Sequence, residues 1–443
     1  MTELTTLGGP RLLNYLRFRK DPLAFLYETQ FVSDIVSVNS SSKTPSYIVH
    51  SPEAAREILS AKEGFFRKGS SAKVLGKTLG EGVLTSEEPE HRRQRKLMQP
   101  AFHKRQIALY AEAVTRYANG LLSEWKSGEA RDISRDMMNL TLNIILKTMF
   151  GKDLSKGDSA AITKAVSDVI EKTAETLLSP LELPDSLPTK KNRKYKKGLQ
   201  SLDELAEKMI QEADPEGDHL LALLLKAQYE DGSSISRDEI RDQILTILIA
   251  GHETTSNALS WIWYLLASHP EVQARFYEEL NSVAPDRLPS YEDIPKLVYT
   301  QQIINESLRL YPAAWIILRE AKEEVELAGH LFSKNSIFMI SPYAIHRNES
   351  LFFHPLLFQP ERFAKENKRS LPPFGYLPFG AGSRGCIGSQ FAMMEMVLIM
   401  AVIGREFEIH LQHANQEAVP EPLVSLRIKG GLKVNPISRK LSR

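Results

Sequence analysis

The sequence predicts a mainly helical protein with a small β part. Apolar residues recur at helical spacing through most of the stretch from about Pro52 to Leu310, whereas strand-like runs are confined to DIVSV and SYIVH near the start and EVELAG and SIFMIS late in the chain. A third observation is the proline-free run between Ser236 and Pro270, long enough for a helix that crosses a whole domain. The expected layout is a single domain over residues 1–443, with β-rich parts at about 30–50 and 322–342 and a helical part at about 52–320.

Composition bounds the function classes. Hydrophobic residues make up 42% and charged residues 25% of the 443, the balance of a globular protein with a large core. Lys+Arg 56 against Asp+Glu 55 leaves +1, which offers nucleic acid no general attraction. The one cysteine, Cys386, cannot form an internal disulfide, so a stapled secreted scaffold is excluded and a reducing compartment is expected. Charges interrupt the apolar stretches near the N-terminus, which predicts neither a signal peptide nor a membrane anchor; a cytoplasmic monomer is the expectation. Leu12 to Phe25 nevertheless mixes Leu, Phe and Tyr with Arg17, Arg19 and Lys20, just after Arg11. A packed N-terminal helix is the favoured reading, with a membrane-surface helix as the alternative.

Along the chain, EPEHRRQRKLMQPAF puts His91 and Arg95 four apart, on one face of a helix begun near Pro89. Two converging cations suit a carboxylate or phosphate, while a solvated basic face accounts for them equally well. Residues 179–198 are the best boundary candidate: Pro180, Pro184 and Pro188 break structure, and the basic cluster Lys190 to Lys197 reads as a solvated loop. Ser236 to Glu239 has capping-box spacing and opens the long helix, about 45 Å at ~1.5 Å per residue. In its middle, ILTILIAGHETTS passes abruptly from apolar residues to Gly251, His252, Glu253, Thr254 and Thr255. One reading is a kink, with a threonine bonding back one turn and Glu253 reaching solvent. The other is a groove in which Gly251 removes bulk beside a ligand while Glu253 and Thr254 deliver protons. The segment alone favours the kink. Glu306 and Arg309, three apart, form a helical pair of a common and weak kind, to which Arg362 in FQPERF could add a second cation.

GAGSRG, Gly380 to Gly385, satisfies G-x-G-x-x-G, with Glu406 and Glu408 at about the right distance for a dinucleotide site. Pro372, Pro373 and Pro378 occupy the place of the required central strand, and too little chain follows Glu408, so that reading fails. Glycine-rich backbone ahead of a helix exposes amides that would stabilise a thiolate at Cys386. Nucleophilic catalysis needs an activating histidine, which the neighbourhood lacks, and zinc needs further ligands. A lone thiolate suits a metal whose other ligands come from elsewhere, as in haem.

These residues resemble the cytochromes P450. Phe379-x-x-Gly382-x-Arg384-x-Cys386-x-Gly388 matches the family's haem-binding loop, and Ala250 to Thr255 its oxygen-groove motif. Glu306-x-x-Arg309 and Pro360-Glu361-Arg362-Phe363 match its other two signatures, in the family's order, from about residue 30 to the end. The departure is His91, where many members carry Trp. The resemblance implies the cytochrome P450 fold with the long helix across the haem, a haem-thiolate loop at 379–388, and haem b (iron protoporphyrin IX) with Cys386 as the thiolate ligand of its iron. It further implies that His91, Arg95, Arg319 and Arg384 hold the propionates, that Gly251 and Phe379 belong to the haem site, and that Glu306, Arg309 and Arg362 form a structural cluster. Glu253 and Thr254 are then the catalytic acid and alcohol of O2 activation, with electron donation from the sulfur favouring O–O cleavage.

The activity implied is hydroxylation or epoxidation of a hydrophobic small molecule such as a fatty acid, terpenoid or other lipid. Its pocket would be lined from the loop after Arg67, Leu248 to Ala250, Ala313 to Ile317, Leu423 and Val424, and one of Arg67, Lys68 and Lys73 could pair with a substrate carboxylate. A peroxide-driven or rearranging haem-thiolate enzyme is the runner-up, disfavoured by Glu253-Thr254; a non-catalytic haem ligand sensor is disfavoured by the lack of an output module. Electrons are expected from a separate ferredoxin or flavodoxin with its reductase, since the chain shows no flavin or iron–sulfur motif. Arg92, Arg93 and Lys96, turned away from His91 and Arg95, are the expected docking cations.

Overall fold

The apolar runs DIVSV, SYIVH and SIFMIS become the strands Ile35–Asn39, Ser46–Val49 and Ile337–Ile340, as their β-branched and aromatic content dictates. The structure, a computed structural model, describes residues 4–39, 43–179, 184, 186–368, 371–414 and 416–439. It is mainly helical, and the chain divides into two compact units, residues 1–73 with 305–386 and residues 74–304 with 387–443.

The first unit holds a five-stranded sheet in the order Ile35–Asn39, Ser46–Val49, Ile337–Ile340, Ile317–Ala321, Phe66–Arg67. Ser46–Val49 runs antiparallel to the first strand, with Ile48 opposite Val36, and parallel to Ile337–Ile340, with Ile48 opposite Met339. Ile48, Val49, Phe338 and Ile340 are fully buried, and the rings of Tyr47, Phe66, Phe332 and Phe338 meet at centroid distances from 4.7 to 5.6 Å. EVELAG supplies Val325–Leu327, hairpin-paired with His330–Phe332. The helical part ends earlier than the expected residue 320. Helix Val298–Leu310 stops ahead of Pro312, and Ile317–Ala321 pairs instead with Ile337–Ile340.

The Glu306–Arg309 pair is not the weak surface pair its spacing suggests. Both side chains are fully buried, with Arg309 Nε 2.7 Å from Glu306. Arg309 also donates to the carbonyls of His346 (2.8 Å), Pro355 (2.6 Å) and Leu357 (3.1 Å). Glu306 accepts from the Gln359 backbone N–H at 2.9 Å and from Arg362 Nε at 3.1 Å, and Arg362 donates to the His354 carbonyl at 2.8 Å. The cluster read from the sequence is therefore real, and it works by satisfying the irregular backbone between residues 346 and 359.

The second unit is built on Arg237–Ser268, a helix of 32 residues and about 48 Å. Its capping box is formed: Ser236 Oγ accepts from the Glu239 N–H at 3.2 Å, and the Glu239 carboxylate accepts from the Ser236 N–H at 2.7 Å. The helix is apolar on nearly every face because it is enclosed by helices Ile133–Phe150, Lys190–Gln211 and Ser389–Glu406 and by strands Phe407–Leu411 and Leu426–Ile428. Phe407–Leu411, the strand-like FEIHL, pairs with Lys433–Ser438, which also pairs with Arg131–Asp132. Pro420–Pro422 and Leu426–Ile428 form a separate hairpin.

The basic cluster Lys190 to Lys197 is helix, not loop. Thr189 Oγ1 accepts from the Asn192 N–H at 3.1 Å and starts Lys190–Gln211, whose Asn192, Tyr195 and Gly198 are buried while the lysines of the cluster face water. Gly198 permits close packing on helix Lys156–Leu177, since a Cβ there would lie 2.9 Å from Val169 Cγ2 and 3.0 Å from the Ala165 carbonyl oxygen. Charge density hid an inward face that repeats every third residue. Pro180, residues 181–183 and residue 185 lie outside the described residues, and the unit boundaries fall after residues 73, 304 and 386 rather than within 179–198.

Glu306→Ala is expected to cost about 3–5 kcal/mol, because it leaves Arg309 charged and buried. Removing the exposed pair Arg56–Glu53 by Arg56→Ala should shift stability far less, because water already solvates both charges. Urea midpoints of the two variants check the contrast; equal shifts would show that the buried cluster carries no special weight.

Candidate functional site

In the first unit the cysteine lies on a loop that only glycine can form. Gly380 and Gly382 have φ of +65° and +72°, and a Cβ on Gly382 would collide with the Leu59 carbonyl oxygen. The loop is pinned by Ser383, whose N–H donates to Glu63 at 2.9 Å, and closed by the Cys386 N–H donating to the Phe379 carbonyl at 2.9 Å. The thiol of Cys386 is exposed. Arg384 is half-buried in the turn Gly382–Arg384. Arg319 is half-buried on Ile317–Ala321, the strand whose Ile317 side chain lies 3.9 Å from where a Cβ of Gly380 would stand. Phe379, Arg384, Cys386 and the strand of Arg319 thus form one neighbourhood. Arg67, considered as a partner for substrate, is engaged with Glu320 (3.1 Å from its Nε) and with Asn335 at 3.3 Å.

In the second unit His91 and Arg95 share the inward side of helix Glu90–Met98, His91 buried and Arg95 half-buried. The His91 Nδ1 lies 2.9 Å from a Glu88 carboxylate oxygen, which fixes the ring and directs Nε2 the other way. Arg92, Arg93 and Lys96 are exposed, as the helical step requires, but they are not free cations. Arg92 lies 3.8 Å from Glu88, Arg93 lies 3.2 Å from Glu90 and 3.6 Å from Asp231, and Lys96 pairs with Glu230. Those acids cancel most of the field on which the expected docking face was premised.

The middle of the long helix divides the kink and groove readings between its residues. Thr254 Oγ1 donates back to the Ala250 carbonyl at 2.6 Å, as the kink reading requires. Gly251 serves packing, since a Cβ there would lie 2.8 Å from Ile145 Cδ1 on Ile133–Phe150. His252 is fully buried, and burial lowers its pKa to about 4, leaving the ring neutral. Glu253 does not reach solvent. It is buried, and desolvation raises its pKa to about 7, against opposing contributions from Ser425, Arg427 and Asn257.

The surroundings of Glu253 come from the late hairpin. Asn257 Nδ2 donates to Ser425 Oγ at 2.7 Å, and Trp261 Nε1 donates to the Leu426 carbonyl at 3.0 Å, so the hairpin is tied to the helix at two points. Arg427 is anchored by Glu421 at 2.6 Å and by Glu171 at 3.0 Å. A second buried carboxyl, Glu395 on Ser389–Glu406, has no hydrogen-bond partner on either oxygen among the described residues and is pushed well above the usual range by burial. Sequence reasoning missed Asn257, Ser425, Arg427 and Glu395. Asn257, one turn beyond Glu253 on the same face, carried a local signal; the other three did not.

Because the folded protein holds the Glu253 proton more tightly than the unfolded chain, the resulting stability is full below about pH 4.5 and is lost as pH rises through about 7. Relative to Glu253→Gln, the natural protein should lose on the order of 3 kcal/mol across that window, read from urea unfolding at stepped pH. Ser425→Ala removes a bond that favours the charged form and should move the Glu253 infrared carboxyl titration to higher pH; an unmoved midpoint would show that Ser425 does not hold this group.

The family model of cytochrome P450 matches residues 7–435. Cyclooctatin synthase of Streptomyces melanosporofaciens is 34% identical over 437 residues, covering 98% of this chain and 95% of that protein. Cyclooctat-9-en-7-ol 5-monooxygenase of the same organism is 35% identical over 419 residues, with coverages of 92% and 90%. Pentalenene oxygenase of Streptomyces avermitilis is 30% identical over 401 residues, with coverages of 88% and 87%. With a match that runs through both compact units, the chain belongs to the cytochrome P450 family.

Proposed function

We propose that this protein is a haem-thiolate monooxygenase that hydroxylates or epoxidises a hydrophobic terpenoid. The observation that carries the reaction type is the buried Glu253 beside Thr254, a carboxyl whose pKa of about 7 suits it to give and regain a proton near neutrality. The substrate class is supported by relatives named for cyclooctat-9-en-7-ol and pentalenene. That one family match runs through both units supports reading residues 1–443 as a single domain.

The residues present fit haem b. Cys386 is an exposed soft donor on a rigid loop, and among the described residues no group of three or more His, Cys, Asp or Glu could hold a bare metal ion. That donor set suits a metal whose remaining ligands a macrocycle provides. Cys386 would ligate the iron, and Arg319, Arg384, Arg95 and His91 would pair with the propionates, with Glu88 orienting the His91 ring. When bound, haem supplies the centre at which dioxygen is reduced and its O–O bond cleaved.

The chain's own residues hold and move the protons. Glu253, which burial keeps partly protonated near neutral pH, gives its proton toward the Thr254 hydroxyl, which must exchange its bond to the Ala250 carbonyl for the new acceptor. Ser425, Asn257 and Arg427 stabilise the carboxylate left behind and limit how far its pKa rises. A separate ferredoxin or flavodoxin with its reductase delivers the electrons. Its docking cannot rest on Arg92, Arg93 and Lys96 alone, given their acidic partners.

The reduced, CO-bound protein should show the red-shifted haem-thiolate band, and Cys386→Ser should lose it; retention of the band would overturn the ligand assignment. Thr254→Ala should keep haem and substrate binding while hydrogen peroxide released per NADPH rises several-fold. Unchanged coupling would confine Thr254 to a helix-bending role. With cyclic diterpene and sesquiterpene alcohols and hydrocarbons, ferredoxin and reductase should yield product labelled from isotopic O2. Turnover on hydrogen peroxide alone, without label from O2, would instead favour the peroxide-driven enzyme.

A further inference from the structure

The N-terminal helix Arg11–Lys20 has two unlike faces. On one, Asn14 is buried with its amide donating to the Gly8 carbonyl at 3.1 Å, and Phe18 meets Phe25 of helix Pro22–Thr29 edge-on at 5.7 Å. The other exposes Leu12 (66%), Leu13 (54%) and Leu16 (50%). At ~100° per residue these three leucines share one sector about 100° wide, bordered by Arg19 on one side and Arg17 on the other, with Lys20 at its end. Phe31 (66%) and Val32 (44%) are exposed one turn beyond Glu28, which binds Arg17 at 2.8 Å.

The helix contains no acidic residue. Arg17 is occupied by Glu28, and Asp21 is occupied in capping the next helix, where it accepts from the Ala24 N–H at 2.9 Å. Among the described residues no carboxylate pairs with Arg11, Arg19 or Lys20. A partner for this face must be apolar opposite the leucines and anionic along their edges. A lipid bilayer has that layering: leucines enter the acyl boundary while basic side chains lay their stems along it and place their charges among the headgroups.

We propose that the Leu12–Leu13–Leu16 face docks in the plane of an anionic lipid membrane. The protein would lie on the membrane, and no described helix is long and apolar enough to cross it. Docking stands independently of the proposed chemistry, though a membrane surface is also where a terpenoid substrate concentrates.

The test is sedimentation of the purified holoprotein with vesicles of phosphatidylcholine alone or mixed with phosphatidylglycerol. Binding to the mixed vesicles at least tenfold tighter than to phosphatidylcholine is expected, weakening as salt rises. The triple variant Leu12→Gln, Leu13→Gln, Leu16→Gln should bind at least tenfold more weakly with an unchanged CO spectrum and melting temperature. Arg11→Glu, Arg19→Glu, Lys20→Glu should abolish the preference for anionic lipid, and Leu16→Trp should report insertion by a blue-shifted emission. Failure of the holoprotein to sediment with either vesicle, or undiminished binding by the leucine variant, would overturn the proposal. So would self-association of the holoprotein that the leucine variant lacks, which would make the face a contact between copies.

Discussion

The buried ion pair of Glu306 and Arg309 is the contact on which the first unit depends. Between residues 346 and 359 the chain runs without regular strand pairing, yet several of its backbone groups are turned inward. Arg309, Arg362 and Glu306 satisfy them, and a hydrophobic pair of equal volume could not. Burying the charges is costly, so the cluster is better understood as organising backbone than as adding stability for its own sake. His346 extends the arrangement. Burial and the nearby Arg309 push its pKa down to about 3, and the neutral ring contacts the Arg309 carbonyl at 3.1 Å and accepts from the Leu377 N–H at 2.8 Å. From Leu377 the chain runs directly into the cysteine loop.

In the second unit the corresponding constraint is desolvation. The enclosed helix meets some of its buried polar groups with partners and leaves others, such as both ring nitrogens of His252, without one among the described residues. Ser256 donates to the Glu253 carbonyl at 2.9 Å, Thr141 donates to the His252 carbonyl at 3.1 Å, and the late hairpin meets Glu253. Enclosure that would be a liability for an ordinary glutamate is what holds this one near neutrality. The hairpin that carries Ser425 and Arg427 also carries Leu423 and Val424 at its turn, where the Leu423 N–H donates to the Ser425 carbonyl at 3.1 Å.

Surface charge follows two opposite rules in this protein. On helix Glu90–Met98 the outward cations are matched by Glu88, Glu90, Glu230 and Asp231, and their long-range field is largely cancelled. On the N-terminal helix, among the described residues, Arg11, Arg19 and Lys20 have no such partner, and Arg19 and Lys20 lie beside exposed leucines instead. Net charge near zero therefore hides a local asymmetry, which composition averages away.

The sequence by itself determined the long capped helix, the strands DIVSV, SYIVH, EVELAG, SIFMIS and FEIHL, and the glycine loop around Cys386. Each of these is a local matter: capping, side-chain period and positive φ act within a few residues, and the reader of the sequence sees all the atoms involved. Tertiary structure alone decided that Lys190 to Lys197 is helical, that Glu306 and Arg309 are buried, that Gly251 accommodates Ile145, and that Glu253 is sealed from water beside Ser425. It also decided which cations on helix Glu90–Met98 are neutralised and which leucines on the N-terminal helix face water. Burial and charge state are set by segments far away in the chain, and the energies they bring outweigh the local preferences that a sequence displays.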